Sequence, residues 1–132
     1  MAGTKRKLSG LQGERDIFSY ARHNRLEQVK QLFNEGTDPD EADEWGNTVL
    51  LVAGQNGLKN VAKAALRFGC NINHQNDKGN TCLHFCFAYG YHDTLGEYLI
   101  SKGADATIQN YGGYTCYDVQ ASKYDDQSDG LM

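Results

Sequence analysis

The chain has 132 residues, 39% of them hydrophobic, and its 13 basic and 17 acidic side chains give a formal net charge of −4. This balance argues against a nucleic-acid partner that is held by phosphate neutralisation. No apolar run approaches the roughly eighteen residues of a bilayer-spanning helix, and the start MAGTKRKLSG lacks the apolar stretch of a secretory signal. We therefore expect one domain in the cytoplasm, with no membrane association, that is monomeric on its own.

Residues 1–13 are predicted to form a mobile basic arm. Lys5, Arg6 and Lys7 precede Ser9, and this spacing resembles the substrates of basophilic kinases. A phosphate on Ser9 would add nearly two negative charges beside the basic residues. Because short motifs of this kind often arise by accident, Ser9 is a candidate phosphorylation site only.

The first predicted unit, residues 14–42, contains two apolar segments, IFSYARHN and RLEQVKQLFNEG. In the second segment Leu26, Val29, Leu32 and Phe33 recur at helical spacing, which predicts a helix. An acidic loop follows, with carboxylates at Asp38, Asp40, Glu41, Asp43 and Glu44. This loop is either simply solvated or a negative rim that steers a basic segment of a partner.

Three later segments share the frame [D/N]-x-x-G-x-T: DEWGNT, NDKGNT and NYGGYT. Their threonines, Thr48, Thr81 and Thr115, recur at spacings of 33 and 34 residues (81 − 48 and 115 − 81). The glycine suits a turn residue with positive φ, and the threonine can cap a helix that starts after it. The frame therefore predicts units at residues 43–75 and 76–109 and a half-unit at 110–124, with a mobile acidic tail at 125–132.

Each frame precedes an apolar segment of helical length. VLLVAGQN follows Thr48 and is ended by Gly57, and CLHFCFAY follows Thr81 and is ended by Gly90. Second helices are predicted over about 58–68 and 93–102 because apolar residues recur there at helical spacing. After Thr115 one predicted helix remains, CYDVQASKYD.

The repeat resembles the ankyrin repeat over roughly residues 14–124. The resemblance rests on Gly79-x-Thr81-x-Leu83-His84, Gly90, Leu99-Ile100 and Lys102-Gly103-Ala104-Asp105. It implies an all-α repeat fold, a solenoid of stacked helix-turn-helix units that are joined by β-hairpin-like turns.

The sequence departs from the ankyrin pattern at four places. Cys82 and Cys116 replace the usual proline, and Leu51 replaces the histidine of the second unit. One extra residue lies between Gly90 and Leu95, and we expect it to lengthen the turn between the two helices of that unit.

The stretch TCLHFCFAYGYH raises the question of a metal site, because it holds Cys82, His84, Cys86 and His92. A helix would place Cys82 and Cys86 on one face whether they bind zinc or fill a core. The resemblance implies that His84 braces a turn against the neighbouring repeat and that Cys86 fills a core position. We therefore expect no metal, no cofactor and unpaired thiols, Cys70 and Cys116 included.

The resemblance implies a non-catalytic adaptor or scaffold that binds a protein partner, or a basic segment of one, on the concave side formed by turns and first helices. Large rings are enriched at such surfaces, although some rings instead pack on a neighbouring turn. We take as partner-binding candidates the positions that this fold would expose: Glu44, Trp45, Asn47, Gln55, Asn56, Lys78, Asn80, Tyr89, Tyr111 and Tyr114.

Two alternatives remain open at this point. The segments FCFAYGY and LGEYLISKGAD are similar to ankyrin repeats of ciliated and flagellated microbial eukaryotes. This similarity favours a structural component of a cytoskeletal or ciliary assembly. A metal-binding or enzymatic protein is the remote alternative. The sequence has no phosphate-binding glycine loop between a strand and a helix and no nucleophile elbow, so we do not expect an enzyme.

Overall fold

The computed structural model describes residues 16–125, and side chains through residue 120. Within this range the chain is helical and contains no strand. The predictions for residues 1–13, including Ser9, and for residues 126–132 of the predicted tail lie outside the described residues. The helices are α1 (Ile17–Arg22), α2 (Leu26–Asn34), α3 (Val49–Asn56), α4 (Lys59–Arg67), α5 (Cys82–Tyr89), a π-helical turn at His92–Gly96 that continues into α6 (Glu97–Ser101), and α7 (Cys116–Asp125).

The predicted helix starts and ends are confirmed at the frames. Thr48 and Thr81 precede α3 and α5, and their side chains accept hydrogen bonds from the backbone N–H groups of Leu51 and His84. At the other end Gly57 and Gly90 adopt left-handed conformations, with φ of 67° and 89°. Both helix ends are therefore set by residues within the repeat itself.

The helices form two layers. The first helices of the units, α1, α3, α5 and α7, pack side by side in chain order, while α2 and α4 pack behind α1 and α3. The middle first helices are apolar all round, as VLLVAG in α3 shows, because they are buried between neighbours. Helices of eight residues are marginal alone, so stacking between units must supply most of the stability.

The expectation that the extra residue lengthens the turn between the helices of the third unit is wrong. In the second unit Ala62 N donates to Leu58 O at 3.0 Å, an ordinary i to i−4 bond. At the matching place in the third unit Gly96 N donates to Tyr91 O at 2.9 Å, five residues back. The extra residue is thus absorbed as a π-helical turn, and Leu95 remains as fully buried as its counterpart Val61.

The frames form narrow turns that pair with one another. In each frame the first residue donates its N–H to the carbonyl of the fifth, as Asn76 N does to Asn80 O at 3.0 Å. Neighbouring turns are joined by Asp77 N to Trp45 O at 3.1 Å and by Tyr111 N to Lys78 O at 3.0 Å. The turn glycine is required at Gly79, where φ is 81° and a Cβ would lie 2.6 Å from Tyr111 N.

Across the part of the chain that the structure describes, no helix is long and apolar enough to cross a membrane.

Candidate protein-interaction surface

Four aromatic side chains on the turns and first helices lie open to solvent. The exposed fractions are 61% for Trp45, 72% for Tyr111, 49% for Tyr89 and 43% for Tyr114. Tyr89 stacks on Phe85 with ring centroids 6.2 Å apart, and Tyr111 packs close to Gly79. Tyr89 therefore packs on its own helix and Tyr111 on the preceding turn, while all four rings keep a large exposed area, which is what a binding surface requires.

Two hydrogen bonds hold the backbone of Trp45 in place. Its N–H donates to Asp43 Oδ1 at 2.9 Å, and its carbonyl accepts from Asp77 N at 3.1 Å. These two bonds tie the residue to its own turn and to the next one. The indole is thus presented from a fixed position while most of its surface stays free.

The expectation that Asn47 and Asn80 are exposed is wrong, because their exposed fractions are only 8% and 3%. Asn76 donates its side-chain Nδ2 to Asn47 Oδ1 at 2.9 Å, and Asn110 does the same to Asn80 Oδ1 at 2.9 Å. Each amide is therefore covered by the first asparagine of the following turn. Asn47 and Asn80 are therefore too buried to contact a partner directly. Their side chains instead join neighbouring turns by hydrogen bonds.

The same first asparagines also build their own turns. Asn76 Oδ1 accepts the N–H groups of Lys78 and Asn80, both at 3.0 Å. Asparagine can do both tasks because its amide carries an acceptor oxygen and a donor nitrogen. Asp43, which opens the first described frame, uses its Oδ1 in the same way toward Trp45 N and Asn47 N.

His84 braces the next turn, as the resemblance implied. Its Nδ1 accepts from Thr81 N at 3.0 Å, so Nε2 carries the proton and donates to Tyr114 O at 2.8 Å. Burial lowers the pKa of His84 below its usual value, against a smaller opposing effect of the Tyr114 carbonyl. In the second unit, where Leu51 replaces this histidine, His74 reaches its own unit's turn and donates Nε2 to Gly46 O at 2.9 Å.

The acidic loop before Trp45 is partly structural. Asp38 Oδ1 accepts from Asp40 N at 2.9 Å, and Asp40 Oδ1 accepts from Asn71 N in the following unit at 2.7 Å. These two carboxylates therefore shape the loop and tie it to the following unit. Glu44 is exposed, whereas Glu41 is half-buried.

The remaining candidates have mixed surroundings. Lys78 and Asn56 are exposed and Gln55 is half-buried. Asn56 donates its Nδ2 to Val52 O at 2.9 Å, so its amide is partly used to finish α3.

The thiols are embedded in the stack. Cys82, Cys86 and Cys116 are buried and Cys70 is half-buried, and all four are free thiols. Burial raises the pKa of Cys70 to about 12 and that of Cys116 to about 11, and a hydrogen bond with Cys86 together with burial raises the pKa of Cys82 well above its usual value. Such thiols stay protonated at neutral pH, which makes them poor nucleophiles and poor metal ligands. Among the side chains that the structure describes, no three from His, Cys, Asp or Glu come together as metal ligands.

A family model for ankyrin repeats, in three copies, matches residues 17–110. The chain belongs to the ankyrin repeat family. Ankyrin repeats are in general protein–protein interaction modules without catalytic activity, and their helical stack is the architecture described above.

Relatives of this chain come from viruses and an animal. The chain is 30% identical over 102 residues to the fowlpox virus ankyrin repeat protein FPV219, which covers 76% of this chain and 23% of that protein. It is 31% identical over 111 residues to the BRCA1-associated RING domain protein 1 of Caenorhabditis elegans, covering 83% of this chain and 16% of that protein. It is 32% identical over 90 residues to the variola virus ankyrin repeat protein OPG189, covering 67% of this chain and 16% of that protein. The chain thus spans less than a quarter of the length of each.

One exposed ring of this ankyrin stack was missed by the sequence analysis. Tyr117 on α7 is 54% exposed and packs edge-on against Phe87, with centroids 5.0 Å apart. A signal for it existed, because Tyr117 lies two residues after its threonine, where the earlier units have the buried Leu50 and Leu83. An aromatic residue at a position that is otherwise leucine indicates a different environment.

Proposed function

We propose that this ankyrin stack is an adaptor or scaffold that binds a protein partner on the concave side formed by the turns and first helices, with Trp45 as the main anchor. The observation that carries the proposal is the fixed backbone and 61% exposed side chain of Trp45. Tryptophan at the centre of an interface is among the residues that contribute most to affinity. An indole that its own fold leaves uncovered is available for that role.

The neighbouring groups supply the chemistry of the partner. Tyr111, Tyr114 and Tyr89 offer apolar rings with polar ends, which suit an interface that is wet at its edge. Asp38 and Glu44 are exposed carboxylates close in sequence to Trp45. We therefore propose a partner segment that carries Lys or Arg near an apolar side chain, since charge complementarity raises association rate and specificity.

A capture experiment tests the proposal. Immobilised native chain, Trp45→Ala and Ile100→Ala are incubated with a cell extract, and bound proteins are quantified by mass spectrometry. Ile100 is the matched control because it is an exposed apolar side chain, 38% exposed, on the second helix α6. We expect a set of proteins that the native chain and Ile100→Ala retain and Trp45→Ala loses.

The opposite outcomes are informative as well. Equal capture by all three baits would mean that the binding surface lies elsewhere. The identity of the retained proteins also distinguishes a soluble regulatory partner from a cytoskeletal or ciliary assembly.

A further inference from the structure

Three lysine side chains converge on one aromatic ring among the second helices. The Nζ atoms of Lys59, Lys63 and Lys102 lie 5.0, 5.6 and 5.6 Å from the ring centroid of Tyr98. The three lysines are exposed and Tyr98 is half-buried. We call these four residues the lysine cluster. They come from two consecutive units and share no residue with the proposed Trp45 surface.

The positions of these lysines destabilise helix α4. Lys59 and Lys63 are four residues apart, and Arg67 follows at the same spacing, so like charges lie on one helix face. Like-charge pairs at this spacing destabilise a helix, and α4 contains no acidic residue to offset them. Lys59 is also the first residue of α4, where the helix dipole favours negative charge.

Among the described residues, no ion pair involves the lysine cluster. The ion pairs of the described residues join Lys30 to Glu27 at 3.7 Å and His92 to Asp93 at 3.3 Å, both outside the cluster. The Tyr98 ring attracts the ammonium groups and restricts their positions, but it carries no net charge. A patch of positive charge therefore remains on a chain whose net charge is −4.

We propose that the lysine cluster is a docking site for an acidic protein segment, one that carries several Asp, Glu or phosphorylated side chains. The charge complementarity is direct, and a short segment matches three ammonium groups gathered around a single ring. An extended polyanion such as a nucleic acid or an anionic bilayer fits less well, because the rest of this net negative chain would repel it. This site is independent of the proposed function of Trp45.

Fluorescence polarisation with a labelled short oligoglutamate peptide tests the proposal on the full chain at about 0.05 M salt, where charge screening is weak. We expect saturable binding that weakens as salt rises. Lys59→Gln/Lys63→Gln should bind roughly tenfold more weakly, as two lost exposed ion pairs predict. Arg25→Gln/Lys30→Gln removes the same net charge elsewhere and should bind as the native chain does. No saturable binding, or an equal loss in both double variants, would overturn the site.

Further variants separate binding from folding. Lys59→Gln/Lys63→Gln should keep or raise the melting temperature, because it relieves like-charge repulsion. Tyr98→Phe should retain peptide binding, while Tyr98→Leu should weaken it because the ring no longer holds the ammonium groups. Equal binding by Tyr98→Leu and the native chain at unchanged melting temperature would contradict the role of the ring.

Competition identifies the class of occupant, and Trp45→Ala keeps the two proposals apart. Unlabelled oligoglutamate should displace the labelled peptide at lower concentration than oligonucleotides or anionic vesicles of equal total charge. Stronger displacement by either of these would overturn the assignment to an acidic protein segment. Trp45→Ala should bind the peptide normally, and a loss of peptide binding in it would show that the cluster is not a separate site.

Discussion

Nε2 of His84, on the first helix of the third unit, donates a hydrogen bond of 2.8 Å to the carbonyl oxygen of Tyr114 in the following turn. The bond ties two units together from a ring that is itself 1% exposed. Because a protonated imidazolium could not accept from Thr81 N through Nδ1, this arrangement requires the neutral ring. His84 therefore links the stability of the stack to pH.

The pH dependence of His84 has a definite sign. Burial lowers the pKa of His84 in the folded state below the value of 6.5 that applies to the unfolded chain. Between these two values the unfolded chain binds more protons, so the free energy of unfolding falls as pH drops through about 6.5. Urea unfolding at about pH 7.5 and pH 5.5 should show this loss in the native chain and a smaller loss in His84→Leu. Identical pH dependence in the two chains would contradict the assigned role.

The hydrogen bond from Asn76 Nδ2 to Asn47 Oδ1, which joins two turns, can be tested with a single substitution. Asn76→Asp keeps the oxygen that accepts from Lys78 N and Asn80 N but removes the Nδ2 donor and sets a carboxylate against Asn47 Oδ1. We expect the free energy of unfolding to fall by about 1–3 kcal/mol. The neighbouring exposed change Asp77→Asn should alter it by less than about 0.5 kcal/mol. Similar urea midpoints for both variants would show that the buried amide pair contributes nothing.

Trp45→Ala should separate binding from stability. The indole is 61% exposed, so its removal should change the free energy of unfolding by less than about 0.5 kcal/mol. Affinity for the partner should fall by on the order of 2 kcal/mol, about thirtyfold, and Tyr114→Ala should have a milder effect. Thermal unfolding and titration calorimetry measure the two quantities. A drop of several kcal/mol in stability with affinity intact would mean that Trp45 is a packing residue.

Gly54 in α3 should reverse the usual effect of glycine replacement. In a solvent-exposed helix, replacing glycine with alanine raises the free energy of unfolding by up to about 1 kcal/mol. A Cβ at Gly54 would lie 2.6 Å from Cys82 Sγ and 3.1 Å from Cys82 O, because α3 and α5 approach closely there. Gly54→Ala should therefore destabilise by about 1–3 kcal/mol in urea unfolding. Gly54→Ala/Cys82→Ala should lose less than the sum of the two single changes, and strict additivity would exclude the steric clash with Sγ as the cause.

Local sequence determined most of the architecture. The caps of α3 and α5 and the glycines that end them act within a few residues, so the frame [D/N]-x-x-G-x-T was sufficient to predict helix positions and the repeat. Exposed aromatic side chains at Trp45, Tyr89, Tyr111 and Tyr114 were also predictable, because turn tips and outer helix positions have no core to enter. The caps and the end glycines depend on residues that are near one another in the chain.

Only the tertiary structure decided features that depend on the neighbouring unit. In the sequence Asn47 and Asn80 are turn residues, and only the structure shows that Asn76 and Asn110 of the following turns cover them. The sequence also does not specify whether the extra residue of the third unit enlarges the turn or the helix. In the structure it enlarges the helix, which keeps Leu95 buried. Likewise Lys59 and Lys102 meet at Tyr98 only because their units stack. The physical reason is that burial and electrostatic contact depend on distance in space, which a single repeat does not specify but the stacking of repeats does.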